Sequence, residues 1–380
     1  MKGFVKMNYR TFGKTGTKVS ALGFGAMRLP TKGKETDVDE AQAIEMIRYA
    51  IDQGVNYIDT AYVYHGGNSE TVIGKALAGG YREKVYLATK LPIWNVQKAE
   101  DFDRLLDDQC ARLQTDHIEF YLFHCLQKKT WPKLRDLGVL QWADKLLTDG
   151  RIGHLGFSFH DTYDVFVEIL DDYAWDFCQI QYNLANEEVQ AGTKGLKYAA
   201  ARGLGVVIME PLFGGTLANP PQPIWEIWNQ HTCRPADVAL RWLWNKPEVS
   251  LVLSGMSNLE QVKQNIESAC RSGVGWFDDN ETAVVAQVQQ EYEKLSPVPC
   301  TKCGYCMPCP NGVNIPINFE LYNNATVFKG SSVMLCRNLY GLLQENEKAK
   351  ACVACGTCEE KCPQGIEIGK MMERVQEQFA

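Results

Sequence analysis

Two runs of closely spaced cysteines lie in the last part of the sequence. The first run is Cys300, Cys303, Cys306 and Cys309, followed by Pro310, and the second is Cys352, Cys355, Cys358 and Cys362, followed by Pro363. Three thiolates that are each separated by two residues can wrap one face of an iron–sulfur cubane. The pattern therefore predicts two [4Fe–4S] clusters in this region.

Each cluster is expected to take three sulfurs from one run and its fourth from the other, because a Cys-Pro sulfur usually ligates the second cluster. The assignment is Cys300, Cys303, Cys306 and Cys362 for one cluster, and Cys352, Cys355, Cys358 and Cys309 for the other. The first run departs from the usual pattern, since two residues rather than three precede its Cys-Pro. Tetrahedral zinc is the alternative, although zinc sites use cysteine pairs and not triplets.

A second group of polar residues closes strand-like apolar segments. Asp59, Lys90 and His124 each end one segment, and Tyr64 follows Asp59 by five residues. A tyrosine, with an unperturbed pKa of about 10, exchanges protons poorly unless a cation lies close. Lys90 could supply that cation and make the phenol more acidic, while Asp59 keeps the lysine charged. With His124 donating to a substrate oxygen, the set predicts carbonyl reduction in which Tyr64 protonates the developing alkoxide.

The segments that carry these residues alternate between strands and helices. The predicted strands are 21–26, 57–61, 85–90, 118–124, 152–159, 177–182, 205–209 and 249–253. The predicted helices are 38–52, 69–77, 99–113, 134–147, 163–173, 193–201, 235–244 and 259–269. Eight strict repeats predict a closed (β/α)₈ TIM barrel, in which catalytic groups come from the carboxyl ends of the strands.

The remaining segments flank this barrel. Residues 7–20 are predicted to form a hairpin across the barrel floor, and 281–295 an added helix. Ser296-Pro297-Val298-Pro299 then breaks the pattern. The predicted domains are thus a barrel over 7–295 and a small, mostly helical, ferredoxin-like domain over 296–380, with helices at 318–324 and 337–348.

Composition narrows the class of protein. The 380 residues include 39 basic and 46 acidic side chains, for a net charge of −7, without the basic patch that nucleic acid binding needs. The sequence has no apolar stretch of about 20 residues for a membrane helix and no signal-peptide core. We therefore expect a cytoplasmic protein that acts on small molecules, with no nucleic acid or membrane partner.

Fourteen cysteines in such a protein favour metal ligation over disulfides, because the cytosol keeps thiols reduced. Six of them lie outside the two runs and are given no role, since a buried thiol behaves mostly as a small hydrophobe. These are Cys110, Cys125, Cys178, Cys233, Cys270 and Cys336.

Four segments carry a resemblance to the aldo-keto reductase superfamily, in matching order and spacing over about residues 7 to 290. They are IDTA at 58–61 with Tyr64, ATK at 88–90, YLFH at 121–124 and LGFS at 155–158. With the cysteine runs, the chain resembles the branch of that superfamily that has a C-terminal ferredoxin-like module. The resemblance implies an NAD(P)H-dependent reductase that uses Asp59, Tyr64, Lys90 and His124 in the roles described above.

The resemblance also implies a set of cofactor contacts. Ser158 and Gln181 would hold the nicotinamide amide. The residues lining the cofactor would be Gly25, Ala26, Met27, Asp59, Pro211, Leu212 and Gly214, and those at the adenosine end Ser254, Gly255, Gln261 and Asn265.

The chain departs from the family pattern at several of these positions. Phe159 replaces the asparagine usual after that serine, and Met209 stands where a tyrosine commonly stacks on the nicotinamide. Gly255 and Gln261 replace the lysine and arginine that grip a 2′-phosphate in many members, which leaves NAD and NADP both open. No Gly-x-Gly-x-x-Gly sequence follows a strand, so Rossmann-type binding is not indicated.

Three hypotheses about function follow. The first is a nicotinamide-dependent carbonyl reductase or alcohol dehydrogenase. The second is an electron-transfer oxidoreductase whose clusters feed the barrel site from an external redox partner protein. The third is a non-catalytic module with a docking or sensing tail. Because hydride carries two electrons and a cluster passes one, linking them calls for a flavin or a one-electron substrate, and no flavin fingerprint is visible. On this reasoning the clusters are either structural or regulatory, or they are redox-active.

Overall fold

The computed structural model of the chain describes residues 6–231, 234–300, 302, 304–328 and 330–380. Strands β1 (Tyr9–Thr11) and β2 (Lys18–Ser20) form an antiparallel hairpin. Eight parallel strands then close into a barrel in chain order, with the last pairing with the first. They are β3 (Leu22–Gly25), β4 (Tyr57–Asp59), β5 (Tyr86–Leu91), β6 (Ile118–Leu126), β7 (Ile152–Phe159), β8 (Phe177–Gln181), β9 (Gly205–Met209) and β10 (Leu251–Gly255). The predicted TIM barrel is confirmed.

Helices connect the strands and continue after the barrel. Those up to β10 are α1 (Glu40–Asp52), α2 (Ser69–Leu77), α3 (Glu100–Leu113), α4 (Trp131–Asp136), α5 (Val139–Thr148), α6 (Tyr163–Asp171), α7 (Gly192–Ala201), α8 (Gln222–Gln230) and α9 (Pro235–Trp244). Those after it are α10 (Leu259–Cys270), α11 (Asp279–Leu295), α12 (Ile315–Val327), α13 (Ser331–Leu342) and α14 (Ile368–Phe379). In the described part of the chain, no helix is both long and apolar enough to cross a membrane.

The floor of the barrel is a packed aromatic and aliphatic core. Phe12, at the turn of the β1–β2 hairpin, is fully buried with its ring 4.7 Å from that of Phe120 and 5.5 Å from that of Phe177. Tyr57 and Val207 belong to the same buried cluster. The hairpin therefore plugs this end, and the opposite end is left for polar side chains.

Several predicted bounds differ from the structure. The helix predicted at 134–147 is two helices, α4 and α5, because Gly138 takes a left-handed conformation with φ 80° between them. The segment 217–231 belongs to none of the predicted strands or helices but contains α8, which Pro221 precedes. In the tail, α13 lies earlier than the predicted 337–348, and α14 was not predicted.

The chain forms two compact units. The first contains the described residues up to Pro211 and Asp237–Asp278, and the second contains those of Leu212–Ala236 and Asp279–Ala380. Within the second unit α11 packs against α8, and α12 packs against α13 and α14. The predicted domain boundary between 295 and 296 stays a prediction, but packing groups α11 with the helical tail rather than with the barrel.

Candidate active site and cysteine pockets

Strand alternation brings the predicted catalytic residues to one end of the barrel. Tyr57, Ala88 and Leu122 belong to the interior core. Since side chains alternate between faces, the residues two positions later on the same strands also face inward. These residues are Asp59, Lys90 and His124. They follow the core residues toward the carboxyl ends of parallel strands, so the structure places them together at the mouth opposite the hairpin.

Lys90 and Asp59 form a buried ion pair. The Lys90 Nζ atom lies 2.7 and 2.8 Å from the two carboxylate oxygens of Asp59, and also donates to the carbonyl of Thr60 at 2.7 Å. The lysine side chain is fully buried. Burial disfavours the ammonium, but Asp59 and Tyr64 together more than offset this, so the pKa of Lys90 lies above its ordinary value. Lys90 is therefore charged at neutral pH.

Tyr64 lies beside this ammonium. Lys90 Nζ is 3.4 Å from the Tyr64 hydroxyl oxygen. Burial raises the pKa of Tyr64, and Lys90 opposes that shift without reversing it. The lysine was expected to make the phenol more acidic than usual, whereas the structure indicates a phenol that firmly keeps its proton, because desolvation of the phenolate costs more than Lys90 returns.

His65 fixes the turn that presents Tyr64. Its ring accepts the Leu29 backbone N–H at Nε2 and contacts the Glu35 carbonyl oxygen at Nδ1, 2.7 Å away. His65 has a left-handed φ of 54°, a conformation that costs energy outside glycine and persists only where contacts hold it. Sequence reasoning missed this residue, because its partners lie about 30 residues earlier in the chain.

His124 completes the group. Its ring centroid is 6.0 Å from that of Tyr64 in an edge-on arrangement and 4.9 Å from that of Trp94. Burial first, and then the Lys90 and His160 charges, hold the pKa of His124 well below its usual value, so its ring is neutral. Among the described residues, Nδ1 of His124 is buried without a hydrogen-bond partner. A neutral imidazole can donate one hydrogen bond to an oxygen bound in the mouth.

A buried polar network supports the outer side of β5. The fully buried Glu70 accepts from the Thr89 hydroxyl at 2.7 Å and from the Gln109 amide at 2.8 Å. Gln109 also donates to the Lys90 carbonyl at 3.0 Å and accepts from the Tyr121 hydroxyl at 2.8 Å. Helices α2 and α3 thus hold the backbone that carries Lys90. Sequence reasoning missed Glu70 and Gln109, since periodicity does not show which helix residues face the sheet.

The two residues predicted to hold a nicotinamide amide also face inward. Ser158 is buried, and its Oγ accepts the Cys125 backbone N–H at 2.7 Å. Gln181 is buried at the end of β8, with its Oε1 3.4 Å from Nε2 of Gln190. In the described part of the chain, Oε1 of the neighbouring Gln179 is buried without a partner. Polar groups in a barrel mouth that can still form hydrogen bonds suit a ligand that carries an amide.

The four residues predicted at the adenosine end meet at the start of α10. Asn265 donates to the Ser254 hydroxyl at 2.9 Å, and Gln261 Oε1 accepts from the Ser257 backbone N–H at 2.8 Å. A Cβ on Gly255 would lie 2.7 Å from Cγ of Arg28, so only glycine fits beside that cation. An arginine next to the N-terminus of a helix suits a phosphate group. Arg28 was not singled out from the sequence.

The other predicted cofactor residues have different environments. Gly25 ends β3 and pairs in register with both Asp59 and Gly255, so it lies at the mouth. Ala26 and the exposed Met27 follow it in a short 3₁₀ helix. Pro211 is in the first compact unit, whereas Leu212 and Gly214 are in the second. The cofactor roles of these residues stay predictions.

The first cysteine pocket joins the two cysteine runs. Its open space is about 330 Å³, and its lining includes Cys300, Cys306 and Cys362, with Ile315 and Phe319 on the apolar side. The predicted ligand Cys303 lies outside the described residues. Cys362 comes from the second run, so this pocket has the composition that the crossed assignment predicts for one cluster.

The second pocket has the complementary composition. Its open space is about 310 Å³, and the cysteines that line it are Cys309, Cys352, Cys355 and Cys358. Ile315 lines this pocket as well as the first. Four cysteines around one pocket match the number of sulfur ligands of a [4Fe–4S] cluster. Among the described residues, however, no three or more potential metal ligands are close enough together to hold a metal ion. Cys309 is included although its run has the shorter spacing before Cys-Pro, and the ligation itself stays a prediction.

Comparison with protein families agrees with both parts of this description. The model of the aldo/keto reductase family matches residues 21–272. The model of the 4Fe-4S dicluster domain matches residues 299–367. The first match spans the barrel strands and covers more than half of the chain.

Individual relatives resemble the barrel part. An uncharacterized oxidoreductase, YrpG, of Bacillus subtilis is 27% identical over 69% of this chain and 91% of its own length. L-galactose dehydrogenase of Arabidopsis thaliana is 28% identical over 77% of this chain and 97% of its own.

Solved structures share the fold at lower identity. The holo form of aldo-keto reductase AKR11C1 from Bacillus halodurans superposes with a TM-score of 0.63 at 23% identity, covering 74% of this chain and 96% of that one. An aldo-keto reductase from Klebsiella pneumoniae in complex with NADPH gives 0.60 at 24% identity, covering 74% and 95%. The chain belongs to the aldo/keto reductase family of oxidoreductases and carries a 4Fe-4S dicluster domain in its last part.

Proposed function

We propose that the protein reduces a small-molecule carbonyl to an alcohol with NAD(P)H, or catalyses the reverse reaction, at the barrel mouth. The observation that carries this proposal is the contact of the Lys90 ammonium with both Asp59, at 2.7 Å, and the Tyr64 hydroxyl, at 3.4 Å, beside a neutral His124. The NADPH named for the Klebsiella pneumoniae neighbour supports this choice of cofactor.

The mechanism divides the work among these four side chains. A nicotinamide held by Ser158 and Gln181 would supply hydride to the carbonyl carbon. Tyr64 donates its proton to the carbonyl oxygen as negative charge develops there, and the phenolate that remains is stabilised by Lys90. Asp59 keeps Lys90 charged, because a buried ammonium without a counter-ion would lose its proton. His124 donates a hydrogen bond to the same oxygen and so aligns the carbonyl with Tyr64.

The cofactor would lie between the polar groups of β7 and β8 and the start of α10. Ser158 and Gln181 would hold the nicotinamide amide, and the α10 terminus with Arg28 would hold phosphate. Arg28 offers a cation where Gly255 and Gln261 offer none. Arginine near a helix N-terminus binds any phosphate of the cofactor, so NADH and NADPH are both tested below.

Two [4Fe–4S] clusters in the cysteine pockets complete the proposal, with the crossed set of eight cysteines as ligands. A second candidate function assigns electron transfer to them, with a redox partner protein as the external carrier. The observations that favour it are the wall shared through Ile315 and the exposure of Cys355 and of its neighbour Val353, 65% exposed. Bound clusters this near the surface would exchange single electrons with such a carrier.

Anaerobic purification followed by cofactor titration tests these proposals. We expect about eight iron atoms per chain, a visible charge-transfer absorbance, saturable binding of NADH or NADPH, and oxidation of that cofactor by members of a carbonyl panel. An iron-free preparation made without oxygen would remove the clusters from the account. Chemically reduced clusters that a substrate reoxidises without NAD(P)H would favour the second function over the first.

A further inference from the structure

A chain of three polar side chains runs along the mouth from the end of β7 to the end of β8. The Nδ1 atom of His160 lies 3.1 Å from Oε1 of Gln190. The Nε2 atom of Gln190 in turn donates to Oε1 of Gln181 at 3.4 Å. His160 and Gln190 are half-buried, and Gln181 is buried. Gln190, in the connection before α7, therefore links the two strand ends.

Two members of this chain, His160 at one end and Gln190 in the middle, are held through their backbone. The Gln127 amide donates to the His160 carbonyl at 2.9 Å. Gln190 itself has a left-handed φ of 60°, and the turn around it is closed by hydrogen bonds from the Thr193 N–H and hydroxyl to the Glu187 carbonyl. A non-glycine residue keeps such a conformation only where its surroundings fix it. The side chain of Gln190 thus starts from a defined position.

The two hydrogen bonds of this chain have a direction. Burial lowers the pKa of His160 to about 4, so the ring is neutral at physiological pH and carries one N–H. With that proton on Nδ1, His160 donates to the oxygen of Gln190, and the nitrogen of Gln190 donates to the oxygen of Gln181. The amide of Gln181 is then oriented with its own nitrogen turned away from Gln190.

This chain compensates for the residue that follows Ser158. Phe159 is fully buried, with its ring 5.1 Å from that of Phe166 on α6, so it faces the helices and offers no polar group to the mouth. The Ser158 hydroxyl already accepts the Cys125 N–H. Holding an amide group at this site consequently depends on how Gln181 is oriented.

We propose that Gln190 is a positioning residue for the nicotinamide amide. It fixes Gln181 so that the nitrogen of Gln181 donates to the oxygen of the nicotinamide carboxamide, with His160 as the anchor. The inference rests on the proposed function, since it requires a nicotinamide in the mouth. It concerns only the nicotinamide half of the cofactor, and this makes it separable from binding at the adenosine end.

Equilibrium binding to the Gln190→Leu variant tests the proposal, using NADH or NADPH, whichever the wild type binds. ADP-ribose, or its 2′-phosphate for NADPH, is the second probe, because it has the adenosine end but no nicotinamide. We expect the variant to bind the reduced cofactor about tenfold more weakly, equivalent to about 1.4 kcal/mol, and to bind the ADP-ribose probe like the wild type. Gln141→Leu, at an exposed glutamine of α5, is the matched control and should change neither affinity.

Gln190→Glu is the second variant, because a glutamate can still accept from His160 but cannot donate to Gln181. It should weaken binding of the reduced cofactor as the leucine does. Unchanged affinity for the reduced cofactor in both variants, or an equal loss for both probes, would overturn the positioning role. Wild-type protein that binds neither probe would instead overturn the proposed function, and this inference with it.

Discussion

The barrel mouth and the cysteine pockets position their functional side chains in different ways. In the mouth, Lys90 is fully buried and its ammonium already contacts Asp59 and Thr60. In the second pocket, Cys355 is exposed and the adjoining Ala354 has a left-handed φ of 51°. The register of the sheet determines where the side chains of the mouth lie, whereas turns determine where the cysteines lie.

The two sites differ in whether a bound ligand is needed to order their side chains. A parallel barrel places inward side chains to within the precision of its hydrogen bonds, so protein contacts alone fix the side chains of the mouth. Cysteines on turns are brought near one another, and metal–sulfur bonds would supply the rest of their order. Substitutions in the mouth that leave the Lys90–Asp59 pair intact should therefore remove chemistry, and substitutions of the pocket cysteines should remove structure.

The largest effect is expected from Tyr64→Phe. The change removes one hydroxyl, the proposed proton donor, and leaves the ring beside His124, so turnover with NAD(P)H and a carbonyl should fall by about 10²–10⁴. Cofactor affinity and iron content should stay at wild-type values. Steady-state kinetics and cofactor titration measure these quantities, and wild-type turnover in this variant would refute the proposed role.

Removing the charge at Lys90 should cost stability as well as activity. Lys90→Met leaves the buried Asp59 carboxylate without its partner, a change worth about 3–5 kcal/mol of unfolding free energy. Lys75→Met is the control, since Lys75 pairs with Glu40 at 2.7 Å where both side chains are more than 40% exposed, and it should cost about 0–1 kcal/mol. Denaturant unfolding compares them, and equal losses would contradict the preorganised mouth.

A cysteine substitution tests whether the cysteine pockets depend on metal ligands for their structure. Cys358→Ala should lower the iron content by about half, because one cluster of two loses a ligand. The tail should also become more sensitive to proteolysis, since ligand bonds would order its turns. Cys336→Ala, at a buried cysteine of α13 outside both runs, should keep the full iron content. Full iron content in the Cys358 variant would show that this residue is not a ligand.

The smallest effect is expected in the pH dependence of the unfolding free energy, through His160 at the mouth. His160 has a pKa lowered from 6.5 to about 4 in the folded protein, so the unfolded chain binds a proton that the folded one does not between these values. Unfolding free energy should accordingly fall as pH falls from 6.5 to about 4, by at most about 1.4 kcal/mol per pH unit. His160→Gln should show a flatter profile in denaturant unfolding at pH 7 and pH 5. Identical profiles would mean that His160 is not held neutral.

Much of the barrel could be predicted because local patterns determine it. Strands β7 and β9 have the predicted bounds, since each is a mainly apolar run that follows shortly after a helix-ending glycine, Gly150 or Gly203. The inward direction of Asp59, Lys90 and His124 follows from alternation along β4, β5 and β6. By contrast, β10 begins and ends two residues later than predicted. Ser254 and Gly255 therefore lie within the strand and not after it.

What could not be predicted depends on contacts between distant segments. Glu70 and Gln109 looked like ordinary polar helix residues, and only the packing of α2 and α3 on β5 turns them toward Thr89. His65 acts through partners in another loop. Gln190 sits in an irregular connection whose path no periodicity describes. The bounds of α12 and α13 were misplaced because their apolar residues gather on one face less clearly than those of the barrel helices.

One measurement tests the central claim most directly, namely whether hydride from the nicotinamide reaches a carbonyl carbon at this mouth. Anaerobic protein would be mixed with NADH or NADPH carrying deuterium at the transferable C4 position, together with carbonyls that support cofactor oxidation. The account predicts an alcohol with deuterium on the former carbonyl carbon, and loss of that product in Tyr64→Phe. Cofactor oxidation that yields no deuterated alcohol, or a deuterated alcohol formed equally by Tyr64→Phe, would contradict it.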